Sequence, residues 1–212
     1  LQQKEIIPLT LGNDFASNII RYMLAKDCWV PVGLDAFTIV YVEGVDRDGT
    51  HNNDAQNLWN DRRIVIEIPK GKPIIVGNWA ATSEPGNYYT HNRMNPKGVA
   101  RIKFGQYRAW AVGLHGSNPY EALEQCREIL VYRDDNEDYI RTGDKVHNDA
   151  SAVNQHHGYD AASVDANSAG CLVGQSIAGH WDFMDLIKTD RRYTANNNYV
   201  FFTAVIPGNE LT

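Results

Sequence analysis

Cys171 sits in the run Ser168-Ala169-Gly170-Cys171-Leu172-Val173-Gly174, with small residues before the thiol and apolar ones after it. Cysteine attacks as the thiolate, so a nucleophilic cysteine needs an accessible turn, a base within reach and N–H donors aimed at the oxyanion that forms. The small residues Ala169 and Gly170 let a substrate carbonyl approach the backbone, and the N–H groups of Gly170 and Cys171 are candidate oxyanion donors. Upstream stand His156, His157 and Gly158 at the end of a strand-like segment. A strand-borne histidine followed by a loop to a thiol is the arrangement a Cys–His pair requires. Neighbouring strand residues point to opposite faces, so only one of His156 and His157 can face Cys171, and spacing does not choose between them. His115, in the segment VGLHG, is a third candidate. The bland alternative is a buried structural cysteine beside solvated histidines, since cysteine is among the most buried residue types.

Other spacings carry weaker chemistry. Asp46, Asp48, Asn52 and Asp54, and again Asp134, Asn136 and Asp138, place oxygen ligands in the manner of calcium loops. Neither run has the central glycine and closing glutamate of a full loop, so both are read as solvated turns. His147, His156 and Asp160 form a conceivable zinc set, though no compact metal motif supports it. Trp79, Tyr88, Tyr89, Tyr107 and Trp110 are expected in core and cross-strand packing.

The elements that must position these residues are mostly strands. AFTIVYVEGV, RRIVIEI, KPIIVGNWAAT and VFFTAVI are rich in branched and aromatic residues, and ARIKFGQYRAWAVGLHG reads as one long or two short strands. Helical periodicity is expected over residues 13–27, over 118–130, where Pro119 and Glu121 suit a first turn, and over 176–190, where Ser176 suits the cap. The resulting fold class is mainly β with about three short peripheral helices; strands and helices do not alternate as a doubly wound sheet requires. Residues 52–60 offer a weak boundary, separating an N-terminal region (1–60, a helix and a strand, or part of the same core) from the main domain (61–212).

The chain has 212 residues, enough for one domain with a sizeable core. A net charge of −6 without a basic tract argues against nucleic-acid binding, which needs a cationic footprint. No apolar run reaches the length of about 18 residues that spans a bilayer. Three scattered cysteines fit neither a disulfide framework nor a Cys-x-x-Cys metal site.

The stretch from His156-His157-Gly158 to Ser168-Ala169-Gly170-Cys171 resembles the signature of the L,D-transpeptidase (YkuD-type) catalytic domain, as a divergent member. In that family a strand-borne histidine followed by glycine leads through a loop to Ser/Thr-His-Gly-Cys. The segment GNWAATSEPGNYYT, with Thr82 and Gly86, is similar to a second feature of the family, a strand running into a Thr-to-Gly turn. The resemblance spans roughly residues 62–206. It implies a β-sandwich-like fold and a cysteine acyl transferase acting on peptidoglycan stem peptides, as transpeptidase or carboxypeptidase, without a cofactor or metal. Cys171 would be the nucleophile and His156 or His157 the base, with His156 favoured by its likeness to an Asn-x-His-x-Gly form of the motif. Ser168 would hold the turn or the imidazole, and Ala169, Gly170 and Gly158 would line the oxyanion and substrate site. The implied location is the cell envelope, periplasmic or extracellular, or the wall of a cell reached by a phage. Ala169 stands where the family has histidine, and Val173 and Gly174 where it commonly has Arg or Asn. A zinc-dependent cell-wall peptidase and a non-catalytic wall- or tail-binding module are the alternatives.

Overall fold

The computed structural model describes residues 8–211; the first seven residues of the N-terminal region and Thr212 lie outside them. The chain is mainly β, as expected. Helix α1 (Phe15–Ala25) leads into β1 (Gly33–Glu43), β2 (Asp61–Ile68) and β3 (Ile74–Thr82), followed by the short α2 (Asn87–His91). Next come β4 (Val99–Ile102), β5 (Gly105–His115), β6 (Tyr120–Gln125), β7 (Ile129–Asp134), β8 (Lys145–Asp149), β9 (Gln155–His157) and β10 (Leu172–Gly174). Helices α3 (Ile177–Lys188) and α4 (Arg191–Ala195) and strand β11 (Phe201–Pro207) complete the order. Eight strands close into a barrel, β1-β11-β5-β6-β9-β10-β3-β2, and β4-β7-β8 form a separate small sheet. Most neighbours are antiparallel, but β1–β11 and β9–β10 run parallel.

Strand β1 lies inside the barrel sheet between β2 and β11, so the weak boundary at residues 52–60 falls in a loop of one continuous sheet. Its side chains alternate between two cores, which explains a run that is apolar on both faces. Ile39 and Tyr41 join a cluster with Trp110, Leu172 and Phe183, shared by the barrel, α3 and the small sheet. Val40 and Val42 face the other way, against Ile19, Ile20 and Met23 of α1. Asp14 caps α1 by accepting from the Ser17 N–H at 3.0 Å, and Ser176 caps α3 by accepting from Gly179 N–H at 3.2 Å.

One expected helix is not formed. Residues 118–130 contribute β6 and the start of β7, although Glu, Ala and Leu favour helix locally. Strand β6 pairs with β5 from Trp110↔Gln125 to His115↔Tyr120 and with β9 at Leu123↔Gln155, so it fills a gap the barrel must close. Tertiary pairing overrides a weak local preference here. The ARIKFGQYRAWAVGLHG segment divides in two. Gly105, at φ +155, marks the step from β4 in the small sheet to β5 in the barrel.

Candidate active site

Cys171 immediately precedes β10, and Leu172 pairs with Gln155 in the parallel β9–β10 ladder. One step back, Cys171 stands level with Asn154. Pleat alternation puts Asn154 and His156 on one face and Gln155 and His157 on the other. Register therefore makes the choice that sequence spacing left open. A cavity of about 500 Å³ between the barrel mouth and the small sheet is lined by Cys171, His156, His115 and Ala169, together with Tyr159 and Ala100. His157 is not in its wall. Its ring stacks on Tyr120 at 4.2 Å between centroids and meets His180 at 5.4 Å, on the other side of the strand.

The imidazole of His156 is buried, and its Nδ1 lies 2.9 Å from the His157 carbonyl oxygen. A carbonyl only accepts, so Nδ1 carries the hydrogen and Nε2 keeps its lone pair. Burial pushes the basicity of His156 down to about 3, helped by the neighbouring His115 and by the Arg63 guanidinium. Arg63 is itself fully buried on β2; its Nη2 donates to the His156 carbonyl at 2.8 Å and its Nε to the Tyr41 hydroxyl at 2.5 Å. No carboxylate pairs with Arg63 among the described residues, and its guanidinium lies 4.4 Å from the Phe183 ring centroid. That positive charge in a low-dielectric interior opposes any imidazolium nearby.

Burial pushes the Cys171 thiol up to about 11, opposed by the Asn154 backbone N–H. The resting pair is therefore a neutral thiol and a neutral imidazole. The thiol proton is directed at the Ala152 carbonyl, 3.5 Å away. Ala152 sits at φ +62, and Tyr159, Asp160 and Asp165 also adopt positive φ around this loop. Non-glycine residues in that region cost of order 1–3 kcal/mol each and concentrate at functional sites.

The cysteine turn is held by its own serine. Ser168 Oγ donates to the Cys171 carbonyl at 2.9 Å and accepts from the Gly170 N–H at 3.2 Å, and its own carbonyl receives the Gly86 N–H at 2.9 Å. Ser168 thus supports the turn, and no hydrogen bond to an imidazole is formed. Of the two expected oxyanion donors, the Gly170 N–H is occupied by Ser168, whereas the Cys171 N–H has no partner among the described residues. Gly170 is required by packing: at φ +112 a Cβ would stand 2.4 Å from the Ala100 carbonyl oxygen. Gly158 is likewise a packing glycine and does not line the cavity; a Cβ there would lie 2.3 Å from the Trp59 ring. Thr82 pairs with Val173, so the Thr82–Gly86 turn lies directly beside the cysteine turn.

The other candidate groups are not assembled. His147 lies on β8 in a separate pocket, and Asp160 accepts from Ile177 N–H to start α3, so neither meets His156. No group of three or more His, Cys, Asp or Glu side chains among the described residues is arranged to hold a metal ion. Asp134, read as part of a solvated turn, is instead buried and accepts from the backbone N–H groups of Asp138 and Tyr139. Trp110 and Trp79 belong to the core as expected, but Tyr88 is exposed on α2 and Tyr89 lines the cavity. Sequence reasoning did not anticipate Arg63. Its one signal was a charged residue inside the apolar alternation of RRIVIEI.

Compared with known protein families, curated proteins and solved structures, the chain matches none.

Proposed function

We propose that this chain is a cysteine acyl transferase of the L,D-transpeptidase type, acting on peptidoglycan stem peptides with transfer to an amine or to water. One observation carries the reading: Cys171 and His156 line the same cavity, and the Nδ1–H of His156 is committed to a carbonyl, which leaves Nε2 as a base. In the reaction the Cys171 sulfur attacks the carbonyl carbon of an L-centre to D-residue bond while His156 Nε2 takes the thiol proton. The carbon–nitrogen bond breaks and the same proton passes to the leaving amine, giving a thioester and a free D-amino acid. An acceptor amine or water then attacks the thioester, His156 removes its proton, and that proton returns to sulfur as the acyl group departs.

At rest the thiol and the imidazole are both neutral, so charge appears only as the nucleophile attacks. The stem peptide as substrate, the L,D-transpeptidase fold and a cell-envelope or phage-delivered place of action rest on the resemblance of the His156–Cys171 and Thr82–Gly86 segments. Intact-mass measurement after incubation with a carbapenem-type β-lactam tests the reading. A single acyl adduct that maps to Cys171 and is missing in Cys171→Ala is expected. A folded wild-type protein that stays unmodified would refute it.

A further inference from the structure

We infer that His115 is a second catalytic side chain, a neutral Nε2–H donor to the substrate oxygen that gains negative charge when Cys171 attacks. The inference rests on the acyl-transfer reading of the cavity, and it begins from a chain of fixed hydrogen bonds. The Gln125 backbone N–H donates to Asn154 Oδ1 at 2.8 Å, which sets the orientation of that carboxamide. Its Nδ2 then faces His115 Nδ1 at 3.1 Å. An amide nitrogen only donates, so His115 Nδ1 must be the acceptor and the ring hydrogen sits on Nε2. This is the opposite tautomer to that of His156, whose Nδ1 carries the hydrogen. The two rings stack at 4.3 Å with 14° between their planes, and both line the cavity that holds Cys171. One imidazole offers a lone pair and its neighbour offers a hydrogen.

The cavity needs such a donor. The Gly170 N–H is taken by Ser168 Oγ, which leaves one of the two expected backbone donors for the tetrahedral oxyanion. A charged His115 would set its Nδ1–H against the Asn154 amide hydrogens, so the ring stays neutral, and burial lowers its basicity further. A neutral imidazole is an effective electrophile where a developing oxyanion must be stabilised. Its proton stays on Nε2 throughout, so His115 donates a hydrogen bond and exchanges no proton.

The test compares two reactions of Cys171 in the full chain: acylation by a carbapenem-type β-lactam, which builds an oxyanion, and alkylation by iodoacetamide, which does not. His115→Phe should slow acylation by roughly 10²-fold, the usual cost of one lost oxyanion donor, and change alkylation far less. His115→Gln keeps an N–H donor and should recover much of the loss, whereas His156→Ala should slow both reactions. Acylation of folded His115→Phe at the wild-type rate, or equal slowing of both reactions, would overturn the assignment. Wild-type protein that is alkylated but never acylated would instead defeat the acyl-transfer reading itself, and this assignment with it. Long-range ¹H–¹⁵N spectra of the wild type give a readout independent of activity. They should show His115 as the Nε2–H tautomer at neutral pH, and an Nδ1–H or imidazolium signature would contradict it.

Discussion

The guanidinium of Arg63 donates to the main-chain carbonyl of His156 at 2.8 Å, joining a buried cation on β2 to the strand that carries the candidate base. Its charge opposes protonation of His156, so removing it should raise the histidine's basicity. Arg63→Met is expected to move the acidic limb of the acylation profile to higher pH. It should also cost about 1–3 kcal/mol for each buried acceptor left without a donor. A pH–rate profile together with denaturant unfolding checks both effects; an unmoved acidic limb would mean that Arg63 has no electrostatic part in the site.

Ser168 bridges both ends of the cysteine turn through its hydroxyl. Ser168→Ala removes two hydrogen bonds, each with a net value of about 0.5–1.5 kcal/mol. It should lower stability by about 1–3 kcal/mol and slow Cys171 acylation, while Ser168→Thr retains the hydroxyl and most of both properties. Denaturant midpoints and acylation rates measured side by side decide this.

Gly158 lies under the Trp59 indole, with only 2.3 Å between a would-be Cβ and the ring. Overpacking of this kind costs typically about 1–3 kcal/mol. Gly158→Ala is expected to destabilise the fold by that amount, and Trp59→Leu in the same chain should recover part of the loss. A double-mutant cycle with purely additive terms would show that the two residues do not meet.

Of the three buried histidines, His156 and His180 do most to make the fold sensitive to acid. His180 Nε2 faces the Glu121 carbonyl oxygen at 2.8 Å, which fixes the hydrogen there, and Nδ1 faces the Arg63 guanidinium at 3.4 Å. Burial and that cation push His180 down to about 3, as burial also does for His156. Both values lie below the unfolded value of about 6.5. The unfolded chain therefore binds more protons in this window, and the stability present above pH 6.5 is lost as pH falls toward 3. Each histidine should contribute a slope of up to about 1.4 kcal/mol per pH unit there. His180→Gln keeps a donor for Glu121 and should flatten the slope by one proton's worth, as read by unfolding at a series of pH values.

The sequence carried the strand content because β1, β2, β3 and β11 are runs of branched and aromatic residues, and it carried α1 through its helical periodicity and α3 through its cap at Ser176. It misassigned residues 118–130, where the local preferences of Glu, Ala and Leu point to helix and only the neighbouring β5 and β9 require a strand. Barrel closure was equally out of reach, since it depends on pairings such as β1 with β11 between residues far apart in the chain. That Cys171 and a strand-borne histidine share one cavity was legible from order and residue type. His156 was favoured over His157 only by the family resemblance; that it is the one lining the cavity follows from the register of β9 on β10. Likewise, Ser168 could be named as a turn residue, but its capture of the Gly170 N–H belongs to three-dimensional geometry.

Acyl transfer by Cys171 is tested by incubating the full chain with a stem tetrapeptide ending in an L-centre to D-residue bond and following the released amino acid by mass spectrometry. The wild type should release the terminal D-amino acid, a chelator should cause no loss, and both Cys171→Ala and His156→Ala should abolish release. Release that persists in folded Cys171→Ala, or that disappears with chelator alone, would contradict acyl transfer by Cys171.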